Sequence, residues 1–190
     1  MLAEVGVTVF GEGDEWSVDP SPIAPHDWRI EPDLSNAGPF LAAALVTGST
    51  VTIPHWPHTT TQAGDHWRSF LTDRGAEVAL TDDLTVTGPG SYPGFRVNLR
   101  AVGELTPTIA AIAAFADGPS ELNGIGHLRG HETDRLAAIA TELRRVGVAV
   151  EEREDGLDID PAGRVAESDA TLQTYADHRM ATMAAVLALR

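Results

Sequence analysis

The 190-residue chain contains neither cysteine nor lysine. Without cysteine there can be no disulfide bond, no thiolate nucleophile and no cysteine-liganded zinc, and this composition fits a reducing cytoplasm. No apolar run approaches the roughly 18 residues of a membrane span, and the first residues lack the basic start of a signal peptide. We therefore expect a cytoplasmic protein whose cationic side chains are all arginines or histidines.

Positive charge is also scarce, because 13 arginines stand against 28 acidic residues and give a formal net charge of −15. An acidic surface repels phosphate backbones, which argues against sequence-independent binding of nucleic acid. The hydrophobic fraction of 43% and the length are those of an ordinary globular domain.

One order of elements occurs twice along the chain. The copies span about residues 28–90 and 95–162, each with a strand, an apolar helix, a strand, an amphipathic helix and two strands joined by an acidic turn. Residues 170–190 resemble the first half of a third copy, and residues 1–19 the tail of an earlier one. We expect an α/β fold in which residues 20–190 form one lobe of repeated β-α-β-α-β-β units, with the chain beginning and ending inside a unit.

Three segments, 39–46, 107–115 and 180–189, are apolar on every side, which predicts helices buried all round in the centre of the lobe. The segment 133–146 instead has one apolar stripe, with Glu142, Arg144 and Arg145 off it, and predicts a helix with one exposed face.

Shorter signals predict where elements begin and end. We expect strands at 28–30 and 95–99, and helix C-termini at Gly48 and Gly118. Thr106, before Pro107, has the pattern of an N-cap followed by a first-turn proline.

Three polar clusters precede predicted helices: residues 100–107, 128–135 and 175–180. Helix N-termini favour bound anions, and Arg100, Arg129, Arg135 and Arg179 lie in these clusters. Each cluster also has a simpler interpretation: Glu104 as a loop carboxylate, an acidic helix start capped by Thr133 or Asp134, and Asp177 as the N-cap of a buried helix.

These clusters carry a family resemblance. Residues 130–138, GHETDRLAA, resemble the K-E-T-D-R-L block of the 3-phosphoshikimate 1-carboxyvinyltransferase (EPSP synthase) family. Residues 177–181, DHRMA, resemble its D-H-R-M-A block, and residues 33–44, DLSNAGPFLAAA, are similar to its D-x-S-x-A-x-x-F-L-A-A-A segment. The match covers the whole chain but only the C-terminal half of the family's length, so the N-terminal lobe, with its cationic ligands, is expected to lie outside this sequence.

The resemblance implies transfer of the enolpyruvyl group of phosphoenolpyruvate to the 5-hydroxyl of shikimate 3-phosphate, with release of phosphate and without a metal or organic cofactor. By the same resemblance, Arg135 and Arg179 bind phosphoenolpyruvate, and Glu104 contacts and deprotonates the shikimate hydroxyl. Glu132 and His178 deliver the proton to carbon. The residues assigned to shikimate 3-phosphate are Glu104, His127 and His131.

The sequence departs from the family pattern at two of these positions. The family usually has aspartate where Glu104 stands, so the carboxylate here reaches one methylene further. It usually has lysine where His131 stands, and an imidazole near neutral pH is only partly charged.

Other interpretations remain open. The sister family that transfers enolpyruvate to UDP-N-acetylglucosamine lacks the E-T-D-R and D-H-R-M blocks. A metal site at His55, His58 and His66 lacks zinc-ligand spacing and accompanying carboxylates. A lone lobe that only binds anions weakly, or packs against the missing N-terminal lobe, is the non-enzymatic alternative.

Overall fold

The computed structural model describes residues 2–28, 30–164 and 169–190. The chain divides into two compact units, residues 1–31 and 32–190. None of the helices in the described ranges is long and apolar enough to cross a bilayer.

The smaller unit is a short helical turn followed by a hairpin. The turn, Leu2–Val5, leads through Gly6 into strands β1 (Val9–Glu12) and β2 (Glu15–Val18), which pair antiparallel. Gly6 has a φ of 83°, a left-handed conformation that favours glycine.

The larger unit contains the remaining helices and strands. Its described helices are α1 (Gly38–Thr47), α2 (His66–Thr72), α3 (Thr106–Ala113), α4 (Arg135–Arg145) and α5 (His178–Leu187). Its strands are β3 (Thr50–Ile53), β4 (Glu77–Leu80), β5 (Leu84–Thr87), β6 (Arg96–Asn98), β7 (Ser120–Asn123), β8 (Ala149–Arg153) and β9 (Gly156–Asp160).

Two sheets of the larger unit repeat one topology. In the first, β5 lies between β3 and β4, and in the second, β9 lies between β7 and β8, with all of these pairs antiparallel. Gly75 and Gly147 precede β4 and β8 with φ values of 82° and 81°. The same left-handed glycine therefore stands before equivalent strands, as Gly6 does before β1.

The second sheet has an extra strand, because β6 pairs parallel with β7. The strand predicted at 95–99 is therefore present as Arg96–Asn98. The strand predicted at 28–30 is wrong for Trp28 and Ile30, which have no regular secondary structure, while Arg29 lies outside the described residues. Such a short run has only a weak preference for strand, and a strand forms only where a neighbouring strand provides hydrogen-bond partners for its backbone.

The three apolar helices contact one another in the larger unit. All eight residues of α3 are buried, as predicted. The same prediction is wrong for α1, where Phe40 is 63% exposed, and for α5, which exposes Ala181 and Ala185. Apolar composition permits burial on every side, but only neighbouring elements provide it.

Two predicted helix ends are also wrong, whereas Gly48 ends α1 with a φ of 68° as expected. Thr106 is the first residue of α3 and not its cap, because the 3-10 helix Arg100–Leu105 runs directly into α3 and the Thr106 amide donates to the Gly103 carbonyl. Helix α3 ends before Gly118, because the chain leaves α3 through turn hydrogen bonds such as Phe115 N–H to Ile112 O, without a left-handed glycine.

Candidate active site

The start of α4 is set by Asp134, which accepts a hydrogen bond from the Ala137 amide at 3.1 Å and so caps the helix. Helix α4 begins at Arg135, two residues later than predicted. Glu132 is therefore outside the helix, yet its Oε2 accepts from Arg135 Nη2 at 2.7 Å.

The start of α5 is set by Asp177, whose Oδ1 accepts from the Arg179 amide at 2.8 Å. The expected N-cap is thus present. Tyr175 and Ala176, just before it, have φ values of 56° and 55°, which are unusual for residues other than glycine. His178 is the first residue of α5, and its side chain is exposed.

The Arg135 guanidinium lies at the centre of the site and is only 1% exposed. Its Nε donates to Asp177 Oδ2 at 2.7 Å, and its Nη1 lies 3.2 Å from His131 Nδ1. Because a guanidinium can only donate, this contact is a hydrogen bond in the His131 tautomer whose Nδ1 carries no proton.

Asp177 is buried with Arg135 as a hydrogen-bonded ion pair. Burial by itself raises the pKa of Asp177, but the Arg135 guanidinium, the Arg179 amide and the nearby His178 together lower the pKa below its usual value. The carboxylate is therefore ionised at neutral pH.

The second arginine of the site, Arg179, pairs with Glu104. Arg179 Nη2 donates to Glu104 Oε2 at 2.5 Å. The Arg179 side chain is 12% exposed and that of Glu104 is 57% exposed, so this pair lies at the solvent side of the site.

His127 lies close to Gly103, the residue before Glu104, and also to His131. A Cβ atom placed on Gly103 would lie 2.6 Å from His127 Nε2, so only glycine allows this close packing next to Glu104. The rings of His127 and His131 are edge to face, with centroids 6.0 Å apart.

These contacts form a ring that runs through both side chains and backbone. In order, the ring contains Glu104, Arg179, Asp177, Arg135, His131, His127 and Gly103, with Glu132 attached at Arg135. The structure thus brings together the candidate residues Glu104, His127, His131, Glu132, Arg135 and Arg179, whereas His178 follows Asp177 in the chain with its side chain exposed. Both guanidiniums are already paired with carboxylates, so an incoming anion competes with Glu104 for Arg179 and with Glu132 for Arg135.

Two arginines of the predicted clusters are not part of this ring. Arg129 pairs with Asp134 at 3.1 Å and with Glu152 at 2.5 Å, which ties the start of α4 to β8. Arg100 is exposed, and its guanidinium has no hydrogen-bond or ion-pair partner within the described ranges.

Sequence reasoning missed two contributions to the site. Asp177 was expected only as a cap, but it also binds Arg135 across 42 residues. Glu142 was expected off the apolar stripe of α4, yet it is fully buried and bonded to Tyr175. The only local signal was a carboxylate seven residues after Arg135, which places both on one face of the helix.

The alternative of a metal site concerns His55, His58 and His66. Across residues 2–28, 30–164 and 169–190, no three or more histidine, aspartate or glutamate side chains are grouped so that they could hold a metal ion.

Comparisons with known proteins place this cluster in context. The model of the EPSP synthase (3-phosphoshikimate 1-carboxyvinyltransferase) family matches residues 1–190. The chain is 56% identical over 176 residues to the 3-phosphoshikimate 1-carboxyvinyltransferase of Kocuria rhizophila, covering 92% of this chain and 39% of that protein. It is 48% identical over 195 residues to that of Bifidobacterium longum, covering 94% and 43%.

Solved structures of similar fold agree with this match. The EPSP synthase from Acinetobacter baumannii has a TM-score of 0.77 at 22% identity, covering all of this chain and 46% of that one. The enolpyruvyl transferase NikO from Streptomyces tendae has a TM-score of 0.68 at 18% identity, covering 99% and 44%. The chain therefore spans about two fifths of the length of the curated relatives that it matches.

Proposed function

Because this chain belongs to the EPSP synthase family, we propose that it supplies the C-terminal part of an active site that transfers the enolpyruvyl group of phosphoenolpyruvate to the 5-hydroxyl of shikimate 3-phosphate. Its partners are these two anions and the part of the family's length that this sequence does not span. The observation that carries the proposal is the meeting of Arg135 and Arg179 with Glu104, Glu132 and His131 in one ring of contacts.

The chemistry requires three proton transfers, the formation of one C2–O bond and the cleavage of another. The 5-hydroxyl oxygen bonds to C2 of phosphoenolpyruvate while its proton goes to a base and another proton is added at C3. Loss of a proton from C3 and cleavage of the C2–O bond to phosphate then give the enol ether and free phosphate. In this proposal Glu104 accepts the hydroxyl proton, and Glu132 with His178 exchanges the proton at C3.

Because Arg179 is paired with Glu104, binding of the substrate to Arg179 would release Glu104, the proposed base. When the carboxylate or phosphate of phosphoenolpyruvate takes the forked donors of Arg179, Glu104 loses its partner. A carboxylate that has lost its guanidinium partner can accept a hydrogen bond from the substrate hydroxyl instead. Glu132 is freed in the same way when the ligand takes a donor of Arg135.

A reconstitution experiment tests this function. The 190-residue chain is mixed with a separately expressed remainder of a full-length relative, and phosphate release is measured with both substrates present. We expect no turnover from either part alone and measurable turnover from the mixture. Glu104→Gln should remove at least about 99% of it, since general acid–base groups typically contribute 10²–10⁴-fold.

Glu151→Gln is the matched control, because Glu151 is an exposed carboxylate on β8 outside the ring and its loss should leave turnover unchanged. If the mixture turns over equally well with Glu104→Gln, the assignment of the base is wrong. If the two parts associate but no mixture releases phosphate, the chain is a weak anion-binding or packing module, which is the alternative function.

A further inference from the structure

Glu142 is a buried carboxylate whose contacts reach toward the site. It is fully buried on α4, where its Oε1 accepts from the Tyr175 hydroxyl at 2.6 Å and its Oε2 from the Gln173 amide at 3.0 Å. Arg145 Nε lies 3.3 Å from Oε1. A buried charge is unfavourable unless it is paired and hydrogen-bonded, and here its hydrogen bonds go to the segment that leads into α5.

That segment has an unfavourable backbone conformation. Tyr175 and Ala176 are consecutive, neither is glycine, and both have a φ near +55°. Left-handed residues of this kind persist only where the surroundings hold them, and they concentrate at functional sites. The hydrogen bonds from Gln173 and Tyr175 to Glu142 supply such a hold immediately before Asp177.

Helix α4 therefore contacts the start of α5 at two points. Arg135 and Glu142 are seven residues apart, or about two turns and about 10 Å along one helix face. Arg135 binds Asp177, and Glu142 binds Tyr175, two residues earlier. A single contact would leave the segment free to rotate about it, whereas two contacts on one rigid helix determine both its position and its direction.

We propose that Glu142 and Tyr175 are positioning residues for the anion site, because they hold the left-handed turn that presents Asp177, His178 and Arg179. This inference rests on the proposed function of the same site. Among the described residues, no hydrogen bond or ion pair joins either side chain to the side chains of the ring. Their effect on ligand binding therefore passes through the turn, which orients Arg179 and the Asp177–Arg135 pair.

The test compares Tyr175→Phe with Tyr92→Phe in the 190-residue chain. Tyr175 is 37% exposed and Tyr92 is buried, but each hydroxyl donates one hydrogen bond, that of Tyr92 at 2.9 Å to the Ile112 carbonyl, so Tyr92→Phe controls for the loss of a bonded tyrosine hydroxyl. Hydrogen exchange of the Arg179 amide and the NMR signal of Arg135 Nε–H report the turn and the ion pair. Titration with phosphoenolpyruvate at low salt reports the site.

We expect Tyr175→Phe to speed exchange at Arg179 about tenfold, to shift the Arg135 Nε–H signal and to weaken phosphoenolpyruvate binding by a similar factor, as expected for a hydrogen bond to a charged group. Glu142→Gln, which keeps the shape of the side chain, should change the same signals to a smaller extent. Tyr92→Phe should leave all three readouts unchanged.

Equal exchange at Arg179 in Tyr175→Phe and Tyr92→Phe would overturn the positioning role. Faster exchange spread evenly over α1 and α3 as well would also overturn it, since that pattern means a general loss of stability. If the wild-type chain binds no phosphoenolpyruvate, the proposed function of the isolated site fails, while the exchange and NMR signals still decide whether Glu142 and Tyr175 hold the turn.

Discussion

At the residue scale, Arg135 and Asp177 are the pair on which the site depends. Both are nearly inaccessible to solvent, and their hydrogen bond joins the starts of α4 and α5. Removing one member of a buried ion pair is far more costly than removing both, because the other charge is left without a partner. The pair therefore contributes to stability as well as to the orientation of Arg179.

The first prediction concerns Asp177→Asn. It leaves the Arg135 guanidinium buried with only Glu132 and His131, so we expect the free energy of unfolding to fall by about 3 kcal/mol. Urea unfolding of the 190-residue chain measures this. Asp160→Asn is the matched control, because Asp160 also caps a helical turn, at Ala162, but has no arginine partner across the described ranges. Equal losses in the two variants would contradict the special role of the buried pair.

The second prediction concerns pH. Because the pKa of Asp177 is lowered in the folded protein, its contribution to stability is present above the unfolded value of about 4 and is lost as pH falls through the lower folded value. The groups that face Asp177 and lower its pKa are the Arg135 guanidinium from α4 and the Arg179 amide and His178 from α5. Between about pH 5 and pH 2, the wild type should lose more stability than Asp177→Asn.

Unfolding free energies of the two proteins at several pH values check this second prediction. Asp65 and Glu121, whose pKa values are also lowered by arginine partners, contribute equally to both proteins and so cancel in the difference. Parallel curves over this range would contradict it.

At the element scale, the N-terminus of α5 is held from outside the helix, and its own sequence does not explain its geometry. Asp177 caps it, but the turn before the cap is left-handed at two residues that lack glycine's freedom. The hydrogen bonds from Tyr175 and Gln173 to Glu142 on α4 hold this unfavourable turn in place.

The third prediction follows from this strain. Ala176→Gly should raise the free energy of unfolding by about 0.5–1 kcal/mol. The steric cost of a left-handed alanine, which glycine removes, is larger than the cost of the extra entropy that glycine gives the unfolded chain. Ala181→Gly is the matched control: it makes the same chemical change at an exposed position inside α5 and should lower stability by about 1 kcal/mol. Thermal unfolding separates the two signs, and a loss of stability at both positions would contradict the strain argument.

At the scale of the whole molecule, most arginine side chains are hydrogen-bonded or ion-paired within the chain. Of the arginines in the described ranges, Arg100 is the one whose guanidinium has no hydrogen-bond or ion-pair partner, and the chain as a whole carries −15. Arg135 and Arg179 are both neutralised by carboxylates of the site itself. The chain therefore offers little free positive charge to a dianion.

The fourth prediction is that the chain alone binds phosphoenolpyruvate weakly, with a Kd on the order of millimolar. Each solvent-exposed ion pair contributes only about 0–1 kcal/mol, and Glu104 and Glu132 compete with the ligand for the same donors. Calorimetry at low salt measures this Kd. Raising the salt concentration to about 0.2 M should weaken binding further, because salt screens the charges. Micromolar binding would show that the half-site is complete in this chain and would contradict the prediction.

Local features of the sequence determined much of the fold. The wholly apolar segment of α3 is buried on every side, and Asp134 and Asp177 cap the helices that follow them. Gly48 and Gly75 take the left-handed conformation where a helix ends or a strand begins. These outcomes were predictable because a cap, a turn glycine or an apolar helix depends on residues within a few positions of itself, and because the motif blocks identify the family.

Only the tertiary structure decided what lies far apart in the sequence. The Arg135–Asp177 pair joins residues 42 positions apart, and Glu142 is buried although it lies off the apolar stripe of its helix. For the same reason, Trp28 has no strand and Phe40 is exposed on an apolar helix. Burial of a charge, pairing of a strand and coverage of a helix face depend on which elements become neighbours in the folded chain, and no short stretch of sequence contains that information.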